Sequence, residues 1–512
     1  MLAKCHSGAL YGVDARTVEI EVCSTGGSPS FTIVGLPDQA VKEAKDRVAT
    51  AIGNSGFKRI ESNVTVNLAP ADVKKEGPIY DLPIAAALLV ATGRIVCDEI
   101  SEYGFAGELA LSGEVRRVNG ILPIVLEMRR IGKRGMIVPY ANAAEAAVVE
   151  GIDVYPVRTL REAVDFLSRK MAIDPVRADL GALLAARQDG GEDFADVKGQ
   201  ESARRAIEVA VAGGHNLLMV GSPGSGKTML ARRIPSILPP LSVSEALEVT
   251  RIHSVAGELK GGSESLVLRR PFRAPHHTVS SVGLLGGGAH PGPGEVSLAH
   301  RGVLFLDELP EFRRDALEVL RQPLEDGHVS ISRAAAACDF PSRFMFVAAM
   351  NPCPCGYADD PRHECRCSQR KVREYRNRIS GPLLDRIDLQ IEVPPVPCGQ
   401  LADLPPGESS AAIRARVLAA REIQRRRFAG RRGVHCNADI PARDVESYCR
   451  LDAGAQTRIR ALLMELDLSA RAYVRVLKMS RTVADLRGAE NVSEADILET
   501  ATYRALDRSY WT

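Results

Sequence analysis

The sequence lacks a long apolar run, an N-terminal leader pattern and a strong excess of charge of either sign. Its longest nearly uncharged apolar stretch, residues 82–93, is too short to span a bilayer, so we expect no membrane segment. The N-terminus, MLAKCHSGALYG, has no apolar h-region, which predicts that there is no signal peptide. The formal net charge is +2, so bulk charge does not indicate a nucleic-acid-binding protein.

The rest of the composition is that of an ordinary globular protein. The apolar fraction is 45% and the charged fraction 25%, a balance typical of soluble domains that argues against long disorder or a fibre. The length of 512 residues predicts about two to four domains. Eleven cysteines, an odd number in a chain without a signal peptide, indicate a reducing compartment, and we expect a cytoplasmic protein.

Changes in pattern along the chain divide it into four parts. Short strands and helices alternate over 1–170, and an acidic, weakly patterned stretch over 171–195 is expected to be a linker. A second α/β pattern occupies 196–400, and 401–512 is expected to be almost entirely helical. The fold class is therefore α/β, with a helical C-terminal domain.

Periodicity gives the individual elements. Expected strands in the first domain cover 18–22, 31–34, 64–68, 105–111 and 136–138, and Pro37 opens a helix. Expected helices in the last domain cover 411–429, 455–467, 469–486 and 493–507.

The strongest motif is a glycine-rich phosphate loop between a short apolar strand and a helix. It fits G-x-x-x-x-G-K-[ST] and consists of Gly221, Ser222, Pro223, Gly224, Ser225, Gly226, Lys227 and Thr228. The glycines allow backbone N–H groups to approach phosphates, Lys227 would reach the β and γ phosphates, and Thr228 would ligate Mg²⁺. The motif predicts ATP and Mg²⁺ as ligands.

Two further strands end in polar residues suited to ATP hydrolysis. GVLFLDE places Asp307 and Glu308 after an apolar strand, where Asp307 would hold Mg²⁺ and Glu308 would polarise the attacking water. Another apolar strand ends at Asn351, which either orients the same water or caps the following turn.

Two arginines complete this set. Arg386 precedes an apolar strand, and Arg471 opens a helix near the C-terminus. One arginine reaching the γ-phosphate from a neighbouring subunit, and one from a helical lid, is the arrangement of AAA+ ATPases. The alternative for each is a surface salt bridge.

The 80 residues from Lys227 to Asp307 are more than one helix and one strand need. We therefore expect an insert at 255–300, and a second hairpin after the carboxylates with Arg333 on it.

Four cysteines form two closely spaced pairs in the loop 353–367. They are Cys353, Cys355, Cys365 and Cys367. Four thiolates can hold a structural Zn²⁺ tetrahedrally, although C-x-C is tighter than the usual C-x₂-C spacing. The alternatives are free thiols, or His363 in place of one cysteine.

An arginine-rich run covers 411–432 and contains a single acid, Glu422. It is either a solvated or inter-subunit face of the lid, or a surface that contacts DNA phosphates.

These motifs together resemble the ComM/YifB family of magnesium-chelatase-like AAA+ proteins. The resemblance extends over nearly the whole chain, and its most specific run is PFRAPHHTVSSVGLLGGGAHPGPGEVSLAHRGVLFLDELPE, followed by LRQPLEDGHVSISRA and GPLLDRIDL. It implies an AAA+ core with a helix-2 insert and a presensor hairpin, a C-terminal helical lid and a hexameric ring. The family roles fall on Lys227 and Thr228 (Walker A), Asp307 and Glu308 (Walker B), Asn351 (sensor 1), Arg386 (arginine finger) and Arg471 (sensor 2, with Arg475 as the alternative).

The N-terminal domain is similar to the Lon-protease fold. DVKKEGP and GEV resemble landmarks of that fold, and the places of the nucleophilic serine and the lysine base hold Ile79 and Leu122. Neither side chain transfers a proton, so we expect this domain to be a scaffold or DNA-contact module without peptidase activity.

Three functions are consistent with the motifs. The resemblance implies an ATP-driven motor, a helicase on single-stranded, forked or branched DNA that branch-migrates recombination intermediates in natural transformation. The first alternative is a chelatase-like ATPase that remodels a protein partner without DNA. The second, an ATP-dependent protease, is disfavoured by Ile79 and Leu122.

Overall fold

The fold is taken from a computed structural model. It describes residues 1–185, 191–259, 265–288, 292–333, 336–358, 360, 363–396, 404–431, 433–465, 469–504 and 506.

The first domain is built on a mixed seven-stranded sheet. Its strands and a small adjoining hairpin are β1 Leu2–Tyr11, β2 Asp14–Thr25, β3 Ser30–Val34, β4 Asn63–Ala69, β5 Tyr103–Phe105, β6 Glu108–Leu109, β7 Val115–Arg116, β8 Gly135–Pro139 and β9 Asp153–Val157. The sheet order is β3-β4-β2-β1-β5-β8-β9, and β6 pairs with β7. β1 and β2 are antiparallel with Cys5 opposite Ile20, so their apolar residues share one buried face.

Helices cover this sheet. They are Gln39–Asn54, Asp81–Ala91, Ile121–Arg130, Ala143–Ala146, Leu160–Leu167 and Leu180–Ala185, with 3₁₀ turns at Pro78–Tyr80, Ile100–Glu102 and Tyr140–Asn142. Every residue of Asp81–Ala91 is buried, because this helix packs against β1, β2 and the helix Gln39–Asn54.

The strand expected at 105–111 is split, which corrects that prediction. The chain leaves the sheet after Phe105 because Gly107 donates to the Ile79 carbonyl at 3.0 Å and accepts from the Leu82 N–H at 3.0 Å.

The expected linker 171–195 is anchored at both of its described ends. The Val176 N–H donates to the Val154 carbonyl at 2.8 Å, which joins the segment to the first domain. Phe194 is fully buried in the second domain, within the 3₁₀ turn Phe194–Asp196.

The second domain contains a parallel five-stranded sheet and two hairpins. The strands are β10 Leu217–Val220, β11 Phe272–Arg273, β12 Gly286–Gly287, β13 Gly292–Pro293, β14 Val303–Leu306, β15 His328–Arg333, β16 Ala336–Pro341, β17 Met345–Met350 and β18 Leu389–Glu392. The sheet order is β11-β14-β17-β10-β18, while β12 pairs with β13 and β15 with β16. Since all the sheet pairings are parallel, the carboxyl ends of β10, β14 and β17 meet at one edge.

Helices surround this sheet. They are Glu201–Gly213, Lys227–Ile237, Val243–Ala256, Ser281–Leu285, Glu295–Leu298, Arg314–Glu318, Arg321–Asp326, Gln369–Arg376 and Gly381–Leu384, with a 3₁₀ turn at Leu309–Glu311. Within the expected insert 255–300, β11 is an edge strand of the core sheet. The added elements therefore precede and follow β11 along the chain. Residues 260–264 and 289–291 lie outside the described residues.

The C-terminal domain is helical, as expected. Its helices are Ser410–Arg427, Val445–Tyr448, Ala453–Glu465, Ala470–Leu486 and Glu494–Thr502, with 3₁₀ turns at Asn437–Asp439 and Ala442–Asp444. It shares one hydrophobic core with the five-stranded sheet and the helix Glu201–Gly213. The expected boundary near residue 400 lies outside the described residues.

The first and second domains are in direct contact through the helix Val243–Ala256. Ala246 and Val249 of this helix belong to the core of the first domain, and the Gly120 N–H donates to the Ser254 carbonyl at 2.9 Å. Within the described ranges, the structure has no helix long and apolar enough to cross a bilayer.

Candidate nucleotide site and cysteine cluster

The phosphate loop joins β10 to the helix Lys227–Ile237 and requires glycine at several positions. Gly224 and Gly226 have φ of +76° and +92°, a region that side chains with a Cβ rarely adopt. A Cβ on Gly221 would lie 2.3 Å from the Val393 carbonyl oxygen. The loop therefore presents bare backbone at the edge of the sheet.

Lys227 is nearly buried within this loop. Its Nζ donates to the carbonyls of Gly221 at 2.7 Å and Ser222 at 3.0 Å. Burial lowers the pKa of Lys227 to about 8, and the negative charges of Asp307 and Glu308 partly oppose that shift.

The neighbouring strands β14 and β17, of which β17 lies beside β10, bring the predicted polar residues to the loop. The Thr228 hydroxyl donates to Asp307 Oδ2 at 2.6 Å, so two oxygen ligands of the kind Mg²⁺ prefers are already adjacent. Lys227 Nζ donates to Asn351 Oδ1 at 3.3 Å. Neighbouring parallel strands thus place Thr228, Asp307, Lys227 and Asn351 in one site.

Glu308 follows Asp307 in an unusual backbone conformation. Its φ and ψ are +53° and +46°, in the left-handed region that is unfavourable for glutamate. Its N–H donates to Asp307 Oδ1 at 2.9 Å, and its side chain is 53% exposed. The turn thereby directs one carboxylate toward Thr228 and leaves the other accessible to solvent.

The residues of this site fit a magnesium-bound nucleoside triphosphate. Ser222 Oγ is buried, and among the described residues it has no hydrogen-bond partner, which is a cost that a phosphate oxygen would remove. Bound Mg²⁺ supplies charge neutralisation at the β and γ phosphates. Thr228 and Asp307 are the residues that would hold it.

Arg386 and Arg471 are not at this loop. Both line a cavity of about 1000 Å³ between the second domain and the helical domain, and none of the eight phosphate-loop residues lines it. Arg386 pairs with Glu325, and Arg471 Nη1 lies 3.2 Å from Asp385 Oδ2. The predicted finger and the predicted lid arginine therefore occupy one face of the chain.

Arg475 differs from Arg471 in its surroundings. Its side chain is 15% exposed, with Nε 3.5 Å from Asp388 Oδ1, and it donates to the Ile387 carbonyl at 3.2 Å. Arg471 is 75% exposed. Both arginines line the cavity, and Arg471 is the more accessible of the two.

Most of the arginine-rich run is engaged within the chain. Arg416 pairs with Glu208 and Glu408, and Arg427 pairs with Asp485. Arg425 and Arg426 share Glu422 on the exposed side of the helix Ser410–Arg427. Arg432 lies outside the described residues. These pairings favour the lid-surface alternative over DNA contact for this helix.

The four cysteines of the loop 353–367 converge. Cys353 Sγ is 3.3 Å from Cys355 Sγ and 3.7 Å from Cys365 Sγ, and all four sulfurs, including that of Cys367, lie within 4.8 Å of one another. A tetrahedral Zn²⁺ with Zn–S bonds of about 2.3 Å requires sulfurs about 3.8 Å apart. The rings of His363 and Tyr357 are in contact, with centroids 4.7 Å apart and planes tilted by 52°, and His363 is not a member of this group.

The cysteine loop touches the phosphate loop. Gly356 has φ of +89°, and a Cβ there would lie 2.6 Å from the ring of Pro223. The loop that carries the four cysteines therefore approaches the phosphate loop closely at Gly356.

The positions aligned with the Lon dyad are apolar and covered. Ile79 and Leu122 both belong to the buried core of the first domain. These two positions therefore carry no side chain that can transfer a proton.

His277 is the residue that sequence reasoning missed at this site. Its Nδ1 lies 3.6 Å from Glu308 Oε2. The sequence carries one indication, the adjacent pair His276-His277 in a run between two core strands.

A phosphate loop on a five-stranded parallel sheet, with a helical C-terminal domain, defines an AAA+ ATPase. Three family models match successive parts of the chain: "Subunit ChlI of Mg-chelatase" over residues 20–142, "Magnesium chelatase, subunit ChlI" over 193–401 and "Magnesium chelatase, subunit ChlI C-terminal" over 407–504. The chain is 44% identical over 509 residues to the uncharacterized protein YifB of Salmonella typhimurium, covering 99% of this chain and 98% of that protein.

It is likewise 44% identical over 511 residues to the competence protein ComM of Haemophilus influenzae, covering 99% of this chain and 98% of that protein. The chain belongs to the ComM/YifB family of magnesium-chelatase-like AAA+ proteins. Lon protease 2 of Bacillus subtilis is 23% identical over 175 residues, 31% of each chain, in line with the Lon-like N-terminal domain. Membership makes the chain a ComM-type ATPase that uses nucleotide and Mg²⁺, from a class whose members oligomerise.

Proposed function

We propose that the chain is a hexameric, ATP-driven motor that translocates on DNA and branch-migrates recombination intermediates. The main observation in support is that four predicted residues converge at one edge of the core sheet, namely Lys227, Thr228, Asp307 and Asn351. Arg386 instead lines a cavity that the phosphate loop does not line. Because Arg386 lies away from the phosphate loop of its own chain, it can complete the nucleotide site of the next subunit in a ring.

Each residue of the site has a distinct part in hydrolysis. Lys227 and the bare loop backbone bind the phosphates, Thr228 and Asp307 hold Mg²⁺, and Glu308 accepts a proton from the attacking water. Asn351, beside Lys227, orients that water. Arg386 and the exposed Arg471 stabilise charge on the neighbouring subunit's γ-phosphate from one shared face.

The DNA-contacting elements in this proposal are the two hairpins. A Cβ on Gly287 of β12 would lie 3.9 Å from Ile331 of β15, so the insert and the second hairpin are neighbours near the Walker B strand. Arg333 ends β15 at the hairpin tip, and its side chain is outside what the structure describes. The name of the ComM relative, a competence protein, supports natural transformation as the setting.

The direct test is ATP hydrolysis and branch migration on a synthetic three-strand or Holliday junction. We expect junction movement that requires ATP, is lost in Lys227→Ala, and weakens steeply with salt because phosphate contacts release counterions. Arg333→Ala should impair movement more than ATP binding, whereas Arg370→Ala, on the exposed helix Gln369–Arg376, should leave both intact. ATP hydrolysis without binding or movement of any branched DNA at low salt would contradict the proposal.

The second candidate is a chelatase-like ATPase that remodels a protein partner without DNA. It is favoured by the match of all three domains to models of a magnesium chelatase subunit. The two candidate functions are distinguished by whether forked DNA stimulates ATP hydrolysis, because only the DNA motor should hydrolyse ATP faster when DNA is bound.

We also propose that Cys353, Cys355, Cys365 and Cys367 hold a structural Zn²⁺. Metal analysis of protein prepared without chelators should find about one zinc per chain. Cys353→Ser should lose that zinc, while Cys23→Ser, at a half-buried cysteine outside the cluster, should retain it. Zinc-free wild-type protein would contradict this assignment.

The N-terminal domain, in this proposal, is a scaffold without peptidase activity. The buried Ile79 and Leu122 leave nothing at the dyad positions to activate a nucleophile. ATP-dependent cleavage of an unfolded substrate that disappears on mutation within 1–170 would overturn it.

A further inference from the structure

Asn216, which directly precedes β10, connects two distant segments of the second domain through its side-chain amide. Nδ2 donates to the Arg386 carbonyl at 2.8 Å, and Oδ1 accepts from the Phe346 N–H at 2.9 Å. Since a carbonyl can only accept and an N–H can only donate, the two partners fix which end of the amide faces which segment. Asn216 therefore ties the predicted arginine finger to β17.

The backbone of Asn216 holds the same part of the chain. Its N–H donates to Asp388 Oδ2 at 3.1 Å, and its carbonyl accepts from the N–H groups of Asp388 at 3.1 Å and Leu389 at 3.0 Å. Since β10 and β18 are neighbouring parallel strands, these bonds continue their pairing to the residue before β10. The turn that carries Arg386 is thereby joined to the amino end of β10.

The Arg386 side chain is held less firmly than its backbone. Its guanidinium donates to the Pro382 carbonyl and pairs with Glu325, whose side chain is 59% exposed. To reach a phosphate of another subunit, the guanidinium must leave Glu325, whereas the backbone need not move. The position of the Arg386 backbone, which Asn216 fixes, then sets where the guanidinium can reach.

We propose that Asn216 is a positioning residue for Arg386, and that it acts on ATP hydrolysis at the neighbouring subunit's nucleotide site. A misplacement of about 1 Å in a reacting geometry can lower a rate about a hundredfold. Asn216 lies on the same strand as its own phosphate loop, but that loop follows Val220 at the opposite end of β10. This inference rests on the proposed role of Arg386 as a finger that acts between subunits.

The test compares Asn216→Asp with Asn54→Asp in the full-length protein. Aspartate at position 216 keeps an oxygen for the Phe346 N–H but turns its second oxygen toward the Arg386 carbonyl, so it breaks one bond of the two. Asn54 is the matched control, because its Nδ2 donates to the Leu111 carbonyl at 2.7 Å in the first domain. We expect Asn216→Asp to lower kcat for ATP about five- to fiftyfold with KM unchanged, and Asn54→Asp to keep the wild-type rate.

Mixed rings identify which nucleotide site is affected. Asn216→Asp subunits mixed with Lys227→Ala subunits should hydrolyse ATP faster than the mean of the two separate proteins, since an intact phosphate loop then meets an intact finger. Asn216→Asp mixed with Arg386→Ala should show no such recovery, because both subunits lack a correctly placed finger. General damage to the fold would not produce this asymmetry.

Wild-type kcat in both Asn216→Asp and Asn216→Ala, which removes both side-chain bonds, would overturn the inference. Recovery with Arg386→Ala, or recovery with neither partner, would also overturn it, and Asn216→Ala takes the place of Asn216→Asp in the mixtures if the aspartate variant does not assemble. The reference mixture of Arg386→Ala with Lys227→Ala separates the two proposals. No recovery there would refute the role of Arg386, whereas recovery there but not with Asn216→Asp would refute only the positioning role.

Discussion

Nucleotide affinity should depend on pH through Lys227. In the ligand-free chain, burial lowers the pKa of this ammonium to about 8 from the usual 10.5. Phosphates bind the charged form, because the neutral amine offers neither positive charge nor a full set of donors. Binding at alkaline pH must therefore take up a proton, and affinity falls as pH rises.

The magnitude follows from the pKa. We assume that only protonated Lys227 binds, and that in the complex the bound triphosphate holds the pKa of Lys227 well above 9. Raising the pH from about 7 to about 9 then weakens the affinity for ATP roughly tenfold, or about 1.4 kcal/mol. Nearly one proton is taken up per nucleotide at about pH 9, against about a tenth of a proton at pH 7.

The assay is calorimetric titration of ATP with excess Mg²⁺ into Glu308→Gln protein, which we expect to bind without turnover. Measurements in two buffers of different ionisation enthalpy report proton uptake directly. Lys227→Arg is the control: arginine keeps its charge over this range, so its affinity, although weaker, should not change with pH. Constant affinity from pH 7 to 9 with Lys227 present, or the same pH dependence in Lys227→Arg, would refute the reasoning.

Three further predictions concern packing and subunit contacts. Leu122→Ala should lower the free energy of unfolding of the first domain by about 2–5 kcal/mol, measured by urea denaturation, because Leu122 is fully buried; an unchanged midpoint would contradict its place in the core. Gly356→Ala should weaken ATP binding, since its Cβ would meet the phosphate-loop proline ring at 2.6 Å, while Gly53→Ala, where a Cβ meets nothing within 4 Å, should bind ATP normally. Mixing Arg386→Ala with Lys227→Ala subunits should restore part of the ATPase rate, because the two defects lie on different sides of a shared site, and no recovery in verified mixed rings would count against that placement.

The local motifs were predictable because their chemistry depends on neighbours in sequence. The phosphate loop is eight consecutive residues, and its glycines are needed for backbone conformations set within the loop itself. The strands before Asp307 and Asn351 were also readable from their apolar runs, and parallel pairing then brings their ends together. The cysteine cluster was predictable for the same reason, because a short loop brings the second pair of cysteines back to the first.

The tertiary structure alone decided which distant charges meet. The arginines of the helix Ser410–Arg427 suggested a DNA-binding face as readily as a lid surface, until folding paired Arg416 with Glu208 and Arg427 with Asp485. The periodicity of one helix does not indicate which acidic side chains of other helices will lie beside it.

The same limit applies to the two predicted arginines of the nucleotide site. The sequence predicted Arg386 and Arg471 separately, but only the packing of the helical domain against the second domain placed both on one cavity. The approach of His277 to Glu308 likewise required β11 to lie beside β14. Thus the sequence by itself determined the ligand-binding motifs, which are local, while the tertiary structure decided which distant side chains lie beside them, because those side chains are brought together from separate elements.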